Sequence, residues 1–236
     1  TATMAEKGGH KHFMHKEIHE QPRALADTLR GRVLRTEGSV HFEGFTLSPE
    51  VAKSLTRVTV LACGTSWHSG LAGRWMIESL AKLPVEVELA SEFRYRDPLV
   101  KPTHLAVAIS QSGETLDTLA ALKEAKARGA ITLTLCNVVG SAMTREAQHT
   151  VLTNAGPEIG VASTKAFTTQ LIGLYLLGLQ LGRLRGTLSA AQAQEHLSHL
   201  AEVPKLVEEV LKTEDAVKQI AKKYLHAQDF LFLGRA

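Results

Sequence analysis

Hydrophobic residues fall along this chain in two rhythms, and the change comes near residue 51. Before it, residues 13–20 follow a short helical pattern that Gln21 and Pro22 interrupt. A second helical stretch runs from Pro22 to about Arg32, with Leu25, Leu29 and Val33 at helical spacing. After it, apolar runs alternate with helices. Residues 58–63 read as a fully buried strand, 64–66 as a turn, and Trp67, Leu71 and Trp75 recur every four residues as one face of a helix. Further strands are predicted over 85–89, 104–109, 131–136 and, more briefly, 150–153. The third leads through residues 110–113 into a helix carrying Leu116, Leu119 and Leu122, which Gly129 stops. Buried strands separated by helices predict an α/β fold, a five-stranded parallel sheet with right-handed crossovers and helices on both faces.

A long helix from about Thr164 to Arg183 follows, and the tail then turns helical. Thr213 is placed to cap a helix with Glu214 and Asp215 in its first turn, and Val217, Ile220, Ala221 and Tyr224 recur at i, i+3, i+4, i+7. Residues 229–235 again read as an apolar strand running into glycine, repeating the logic of 58–64. This predicts a second α/β unit of which only the first strand is present. A lone strand cannot bury its faces, so the tail is expected to dock on something or to be disordered. The expected organisation is an arm over 1–50, an α/β domain over 51–201, and a connector with the start of a second unit over 202–236.

Composition narrows the classes. Among 236 residues, 27 Lys and Arg face 24 Asp and Glu, a net charge of +3 with the basic residues dispersed, which argues against nucleic-acid and polybasic membrane-surface partners. Aromatics at 5% are too few for a stacking surface on single strands. Cys63 and Cys136 lie far apart without metal-ligand spacing, so a disulfide scaffold is not expected. Residues 1–12 lack the apolar core of a signal peptide, and the one continuous greasy run, 171–179, is too short to span a bilayer. A cytoplasmic soluble protein is the expectation. His10, His12, His15 and His19 crowd the arm, but lysines interleave its carboxylates and no sharp ligand motif appears, so a polar helical arm is favoured over a metal site.

The candidate chemistry lies in two strand-to-helix loops, Cys63-Gly64-Thr65-Ser66 and Ser110-Gln111-Ser112-Gly113-Glu114-Thr115. Glycine lets backbone approach a ligand, helix N-termini present unpaired amides, and hydroxyls add uncharged donors; together these make a neutral phosphate cradle. Neither loop fits a dinucleotide or P-loop pattern. For either loop alone, simple helix capping explains the residues equally well. The pair is more telling, because in a sheet ordered 2-1-3-4-5 the first and third strands are neighbours with the ligand crevice between their carboxyl ends. A third segment, residues 158–165, reads either as a plain helix entry capped by Ser163 or Thr164 or as a further wall of the crevice. Ketose–aldose conversion requires a general base. The nearby carboxylates are Glu114 and Glu158 and the nearby histidine is His68, and none is chosen: Glu114 is assigned to a helix dipole and His68 to packing or solvent.

At these loops the sequence resembles a known family. Ser110-Gln111-Ser112-Gly113-Glu114-Thr115 looks like the signature of the sugar isomerase, or SIS, domain, which binds phosphosugars. Four further segments are similar to the isomerase part of the glutamine:fructose-6-phosphate aminotransferase family: Cys63-Gly64-Thr65-Ser66, Ala90-Ser91-Glu92-Phe93-Arg94-Tyr95-Arg96, the stretch 158–170, and the arm Lys11-His12-Phe13-Met14-His15-Lys16-Glu17-Ile18-His19-Glu20-Gln21-Pro22. The similarity covers essentially the whole chain.

The resemblance implies an enzyme that makes glucosamine 6-phosphate from fructose 6-phosphate and glutamine, on the route to UDP-N-acetylglucosamine, without a cofactor and as a homodimer. It implies that Cys63, Gly64, Thr65, Ser66, Ser110, Gln111, Ser112 and Thr115 hold the phosphosugar, with Val161, Ala162 and Ser163 nearby. Set against the family, a chain running from Thr1 to Ala236 is expected to lack the glutaminase domain and most of the second SIS repeat. The family's isomerising glutamate, ring-opening histidine and Schiff-base lysine lie in that repeat, so no catalytic residue is expected here and the chain alone is expected to be inactive. Rival readings are an ammonia-dependent deaminase-like relative, a simple phosphosugar isomerase and, lower, a phosphosugar-sensing regulator, for which the arm is too short and insufficiently basic.

Overall fold

The β-branched runs form the sheet that their pattern predicts. In the computed structural model, which describes residues 6–234, strands β3 (Arg57–Ala62), β4 (Val85–Leu89), β5 (His104–Ser110), β6 (Ile131–Cys136) and β7 (His149–Leu152) make one parallel sheet in the order β4-β3-β5-β6-β7. Numbered from the first of them, this is the expected 2-1-3-4-5. A two-residue hairpin, β1 (Val33–Leu34) with β2 (Ser39–Val40), precedes it.

Strand periodicity splits the core in two. Val58, Val60, Ala62, Leu105, Val107, Ile109, Leu133 and Leu135 project to one face, which α4 (Gly64–Ala81) and α8 (Lys165–Arg185) cover. Leu61, Ala106 and Ala108 project to the other, under α5 (Ala90–Phe93), α6 (Leu116–Ala127) and α7 (Ala142–Glu146). Alanines on that face let α6 sit close, with Ala121 and Ala125 meeting Ala106.

The helix face predicted from Trp67, Leu71 and Trp75 is not the buried one. Trp67 packs on the core, but Leu71 is exposed and Trp75 is 62% exposed. Helix α4 buries Gly70, Gly73 and Ile77 instead, because it lies against α8 at a separation that leaves no room for larger side chains: a Cβ at position 73 would come within 2.6 Å of Leu174.

The arm is docked. Helices α1 (Phe13–His19) and α2 (Gln21–Leu29) lead into the hairpin, and α2 packs on α8 and on α9 (Ala190–Leu211). Leu25, Phe42, Phe45 and Leu47 join the principal core. Lys165, buried at the start of α8, reaches back to Glu20 at 2.5 Å.

Beyond α9 the expectations diverge from the structure. The cap at Thr213 does not form; its hydroxyl donates to Val210 O instead. Helix α10 (Glu214–Lys223) exists, but its apolar stripe of Val217, Ile220 and Tyr224 stays exposed. The strand expected over 229–235 is absent through residue 234, and Arg235 lies outside the described residues. Leu231, Phe232 and Leu233 are each about nine-tenths exposed. A strand without a neighbour leaves its amides and carbonyls without partners and both faces wet, so this segment has nothing to hold it extended.

Candidate functional site

Strands β3 and β5 are hydrogen-bonded neighbours, with Leu61 opposite Ala108. The loops leaving their C-terminal ends, residues 63–66 and 110–115, therefore open side by side where the sheet order reverses. Thr118, buried in the first turn of α6, ties them further through its hydroxyl, 3.8 Å from Cys63 Sγ.

Cys63 is the extended N-cap of α4, and Gly64 follows at φ +56°. A side chain would be strained in that conformation, yet no atom lies within 4 Å of where its Cβ would point. The backbone is thus open on the side from which a ligand would come. The first amides of this 18-residue helix have no intrahelical acceptor and carry its partial positive charge. Thr65 is exposed, and its hydroxyl has no protein partner among the described residues. Ser66 Oγ accepts from Gln170 Nε2 at 3.0 Å.

The second loop folds on its own hydroxyls. Ser110 Oγ accepts from the Gly113 amide at 3.0 Å and lies 3.2 Å from Thr115 Oγ1, while Ser112 Oγ accepts from the Glu114 amide at 3.2 Å. Gly113 sits at φ +68°, and a Cβ there would overlap Ser141 Oγ and lie 2.7 Å from Cys136 Sγ. Burial pushes the Cys136 thiol up, opposed by its hydrogen bond with Ser141, so this cysteine is a packed thiol behind the loop.

Residues 52–179 match the SIS domain. The chain belongs to the SIS domain family. It is 51% identical over 235 residues to a glutamine–fructose-6-phosphate aminotransferase of Thermus thermophilus, covering 100% of this chain and 38% of that protein. It is 46% identical over 231 residues to the same-named protein of Caldanaerobacter subterraneus subsp. tengcongensis, covering 98% of this chain and 38% of that one. The C-terminal domain of glucosamine-fructose-6-phosphate aminotransferase from Francisella tularensis superposes with a TM-score of 0.91 at 38% identity, covering 98% of this chain and 64% of that one. The chain thus spans about 38% of the length of the curated relatives.

The third segment, residues 158–165, leads directly into α8. Val161 and Ala162 face solvent, and Ser163 gives its hydroxyl to Glu158 Oε2 at 3.2 Å. Neither Ser163 nor Thr164 caps α8 through its side chain. Glu158 does so, its Oε1 accepting from the amides of Thr164 at 2.8 Å and Ala166 at 3.2 Å, with the segment before it fixed by Glu17, whose carboxylate takes the Ile159 and Gly160 amides.

Glu114 also differs from the sequence reading. Helix α6 begins only at Leu116, so Glu114 lies outside its first turn, and its Oε1 accepts from the Ala142 amide at 2.8 Å to cap α7. His68 is exposed, edge-on to Trp67, with Nδ1 3.3 Å from Gly64 O.

Two residues escaped the sequence reading. Gln170 is 2% exposed inside an apolar helix and holds both Ser66 and Ser69. Asn137, directly after β6, accepts from Thr153 Oγ1 and the Ala155 amide and donates to Gly156 O, fixing the loop that follows β7. For Gln170 the signal was an amide side chain inside an apolar helical run, whereas Asn137, one residue past the predicted strand, gave none. A hollow of about 670 Å³ between residues 41–44 and β7 is lined by none of the residues of the two loops.

Proposed function

We propose that the crevice between residues 63–66 and 110–115 binds the phosphate end of a phosphosugar, fructose 6-phosphate or glucosamine 6-phosphate. On this reading the chain is the sugar-binding portion of a cytoplasmic, homodimeric glutamine–fructose-6-phosphate aminotransferase. Residues 1–50 are the arm from a glutaminase domain, 51–201 the first SIS domain, and 202–236 the connector into a second. The observation that carries the reading is the pairing of two hydroxyl-rich loops on adjacent strands, each leading into a helix and neither holding Lys or Arg. Thr65 supplies a hydroxyl there that has no partner among the described residues, and Gly64 an open backbone. The names and 45–51% identities of the curated relatives support the assignment of the activity.

The chain's own residues favour binding over chemistry at this crevice. Glu114 and Glu158 are committed to capping α7 and α8, which leaves neither positioned as a general base. Among the described residues no helix is long and apolar enough to cross a membrane. Calorimetry with fructose 6-phosphate, glucosamine 6-phosphate and inorganic phosphate tests the reading, with Ser112→Ala expected to weaken sugar-phosphate binding about tenfold. Absence of heat with either sugar, and the same weak response from Ser112→Ala as from the parent, would remove it.

A further inference from the structure

His15 and His19 are four residues apart on α1 and so share one face of it. The arm's own sequence offers them no clear carboxylate, but the fold brings one from α10. His15 Nε2 lies 2.9 Å from Glu214 Oε1, and His19 Nε2 lies 3.0 Å from Glu214 Oε2. One ligand atom from each of the three residues falls within 4.8 Å of the others. Behind them, His10 Nδ1 sits 3.3 Å from His15 Nδ1.

We propose that His15, His19 and Glu214 form a binding site for one divalent ion of the zinc class, which fastens α10 to α1. Two imidazole nitrogens and a carboxylate oxygen are a borderline donor set, suited to Zn²⁺ and poorly suited to Ca²⁺ or Mg²⁺, which prefer oxygen cages. Tetrahedral bonds of about 2.0–2.1 Å place ligand atoms about 3.3 Å apart, so each histidine nitrogen needs to move only a few tenths of an ångström from its carboxylate partner, and the two nitrogens already lie within 4.8 Å of each other. The three side chains are 30–39% exposed, which leaves a route for the ion and a fourth position for water. Both rings present Nε2 to the site. His15 Nδ1 is then left to donate to His10, the outer hydrogen bond that orients a ligating imidazole.

One group opposes the ion. Lys218 Nζ lies 2.5 Å from Glu214 Oε1, and its ammonium must leave for a cation to enter. It is more than half exposed and has Asp215 as a second partner at 3.8 Å. The clamp also has something to hold: no residue of α10 is buried, so its attachment to the arm rests on few contacts.

The test is calorimetric titration of the metal-free chain with Zn²⁺, alongside Co²⁺ absorption as a report of tetrahedral coordination. One equivalent is expected to bind. His19→Gln and Glu214→Gln should each weaken it more than tenfold, and His10→Ala by about tenfold, the effect usual for an outer-shell partner. Lys218→Ala should tighten it, a change in the opposite direction that loss of folding cannot imitate. His199→Gln, on α9, serves as the control and should change nothing. Binding that is absent, or that is equal in the parent, His19→Gln and Glu214→Gln proteins, would overturn the site.

Discussion

Gln170 holds two serines of another helix at once: its Nε2 donates to Ser66 Oγ at 3.0 Å and its Oε1 accepts from Ser69 Oγ at 2.9 Å. Ser69 shares its one hydroxyl proton with Ser66 O, 2.7 Å away, so the amide side chain closes a small network beneath the first turn of α4. That turn is the part of the helix that faces the crevice. The long apolar helix α8 thereby fixes the conformation of a loop it does not itself form.

Gln170→Met keeps the volume and removes both hydrogen bonds. It should cost about 1–2 kcal/mol of stability, read as a lower denaturant midpoint. It should also weaken sugar-phosphate binding, because Ser66 loses its orientation. Unchanged binding with reduced stability would show that the network is purely structural.

The two loop glycines should respond differently to alanine. Both lie at positive φ, where an L-residue costs about 1–2 kcal/mol. At Gly113 that strain is joined by overlap with Ser141 and crowding against Cys136, whereas around Gly64 the space is open. Gly113→Ala is therefore expected to unfold at a clearly lower temperature than Gly64→Ala. Gly64→Ala should keep most of its stability and lose binding, as ligand-dependent thermal shifts would show. Equal melting temperatures for the two variants would contradict this account.

This contrast marks where sequence reasoning succeeded. The order of buried runs and the two glycine–hydroxyl loops were legible, since strand periodicity and turn chemistry are local. The partner of each side chain was not. Glu114 looked like an α6 residue and caps α7, and Trp75 looked buried and faces water, because both depend on which surface the neighbouring helix covers. The tail at 229–235 read as an apolar strand running into glycine, but a strand requires a neighbour to pair with, and residues 229–234 pair with none of the described strands. Likewise the His15–His19 spacing was visible, while Glu214 became its neighbour only through the fold.

Lys165 and Glu20 join the arm to α8 through a pair in which the lysine side chain is 3% exposed and the glutamate 28%. Glu20→Gln leaves an ammonium buried and should cost about 1–3 kcal/mol, the lower range reflecting solvent at the carboxylate. Lys165→Met removes the charge along with its need for a partner and should be close to neutral. Chemical denaturation of the two variants checks the asymmetry; a larger loss from Lys165→Met would reverse it.

Stability should fall on acidification through His104. This residue opens β5 and is buried, and burial, followed by the charges of Arg57 and Lys101, holds its pKa below the ordinary 6.5. The folded value lies below the unfolded one, so the unfolded chain takes up a proton that the folded chain refuses. The resulting stability is fully present above about pH 6.5 and is lost as pH drops below it toward the folded value. His149 shifts in the same direction through burial. Melting temperatures should therefore decline from near pH 6.5 downward, and His104→Gln should flatten the decline; an unaltered slope in that variant would count against it.

Thr65 gives the sharpest separation of binding from folding. Its side chain is exposed, and among the described residues its hydroxyl has no protein partner, whereas the Ser66, Ser110 and Ser112 hydroxyls all serve the fold. Thr65→Val preserves shape and should change stability by no more than about 0.5 kcal/mol. A hydrogen bond to a charged phosphate contributes about 1.5–3 kcal/mol, so the same substitution should weaken sugar-phosphate binding roughly tenfold or more. Because neither loop carries Lys or Arg, the residual affinity should depend only shallowly on salt. Calorimetry at low and high ionic strength reads both quantities. A steep salt dependence, or a Thr65→Val protein that binds like the parent, would place the phosphate elsewhere on the domain.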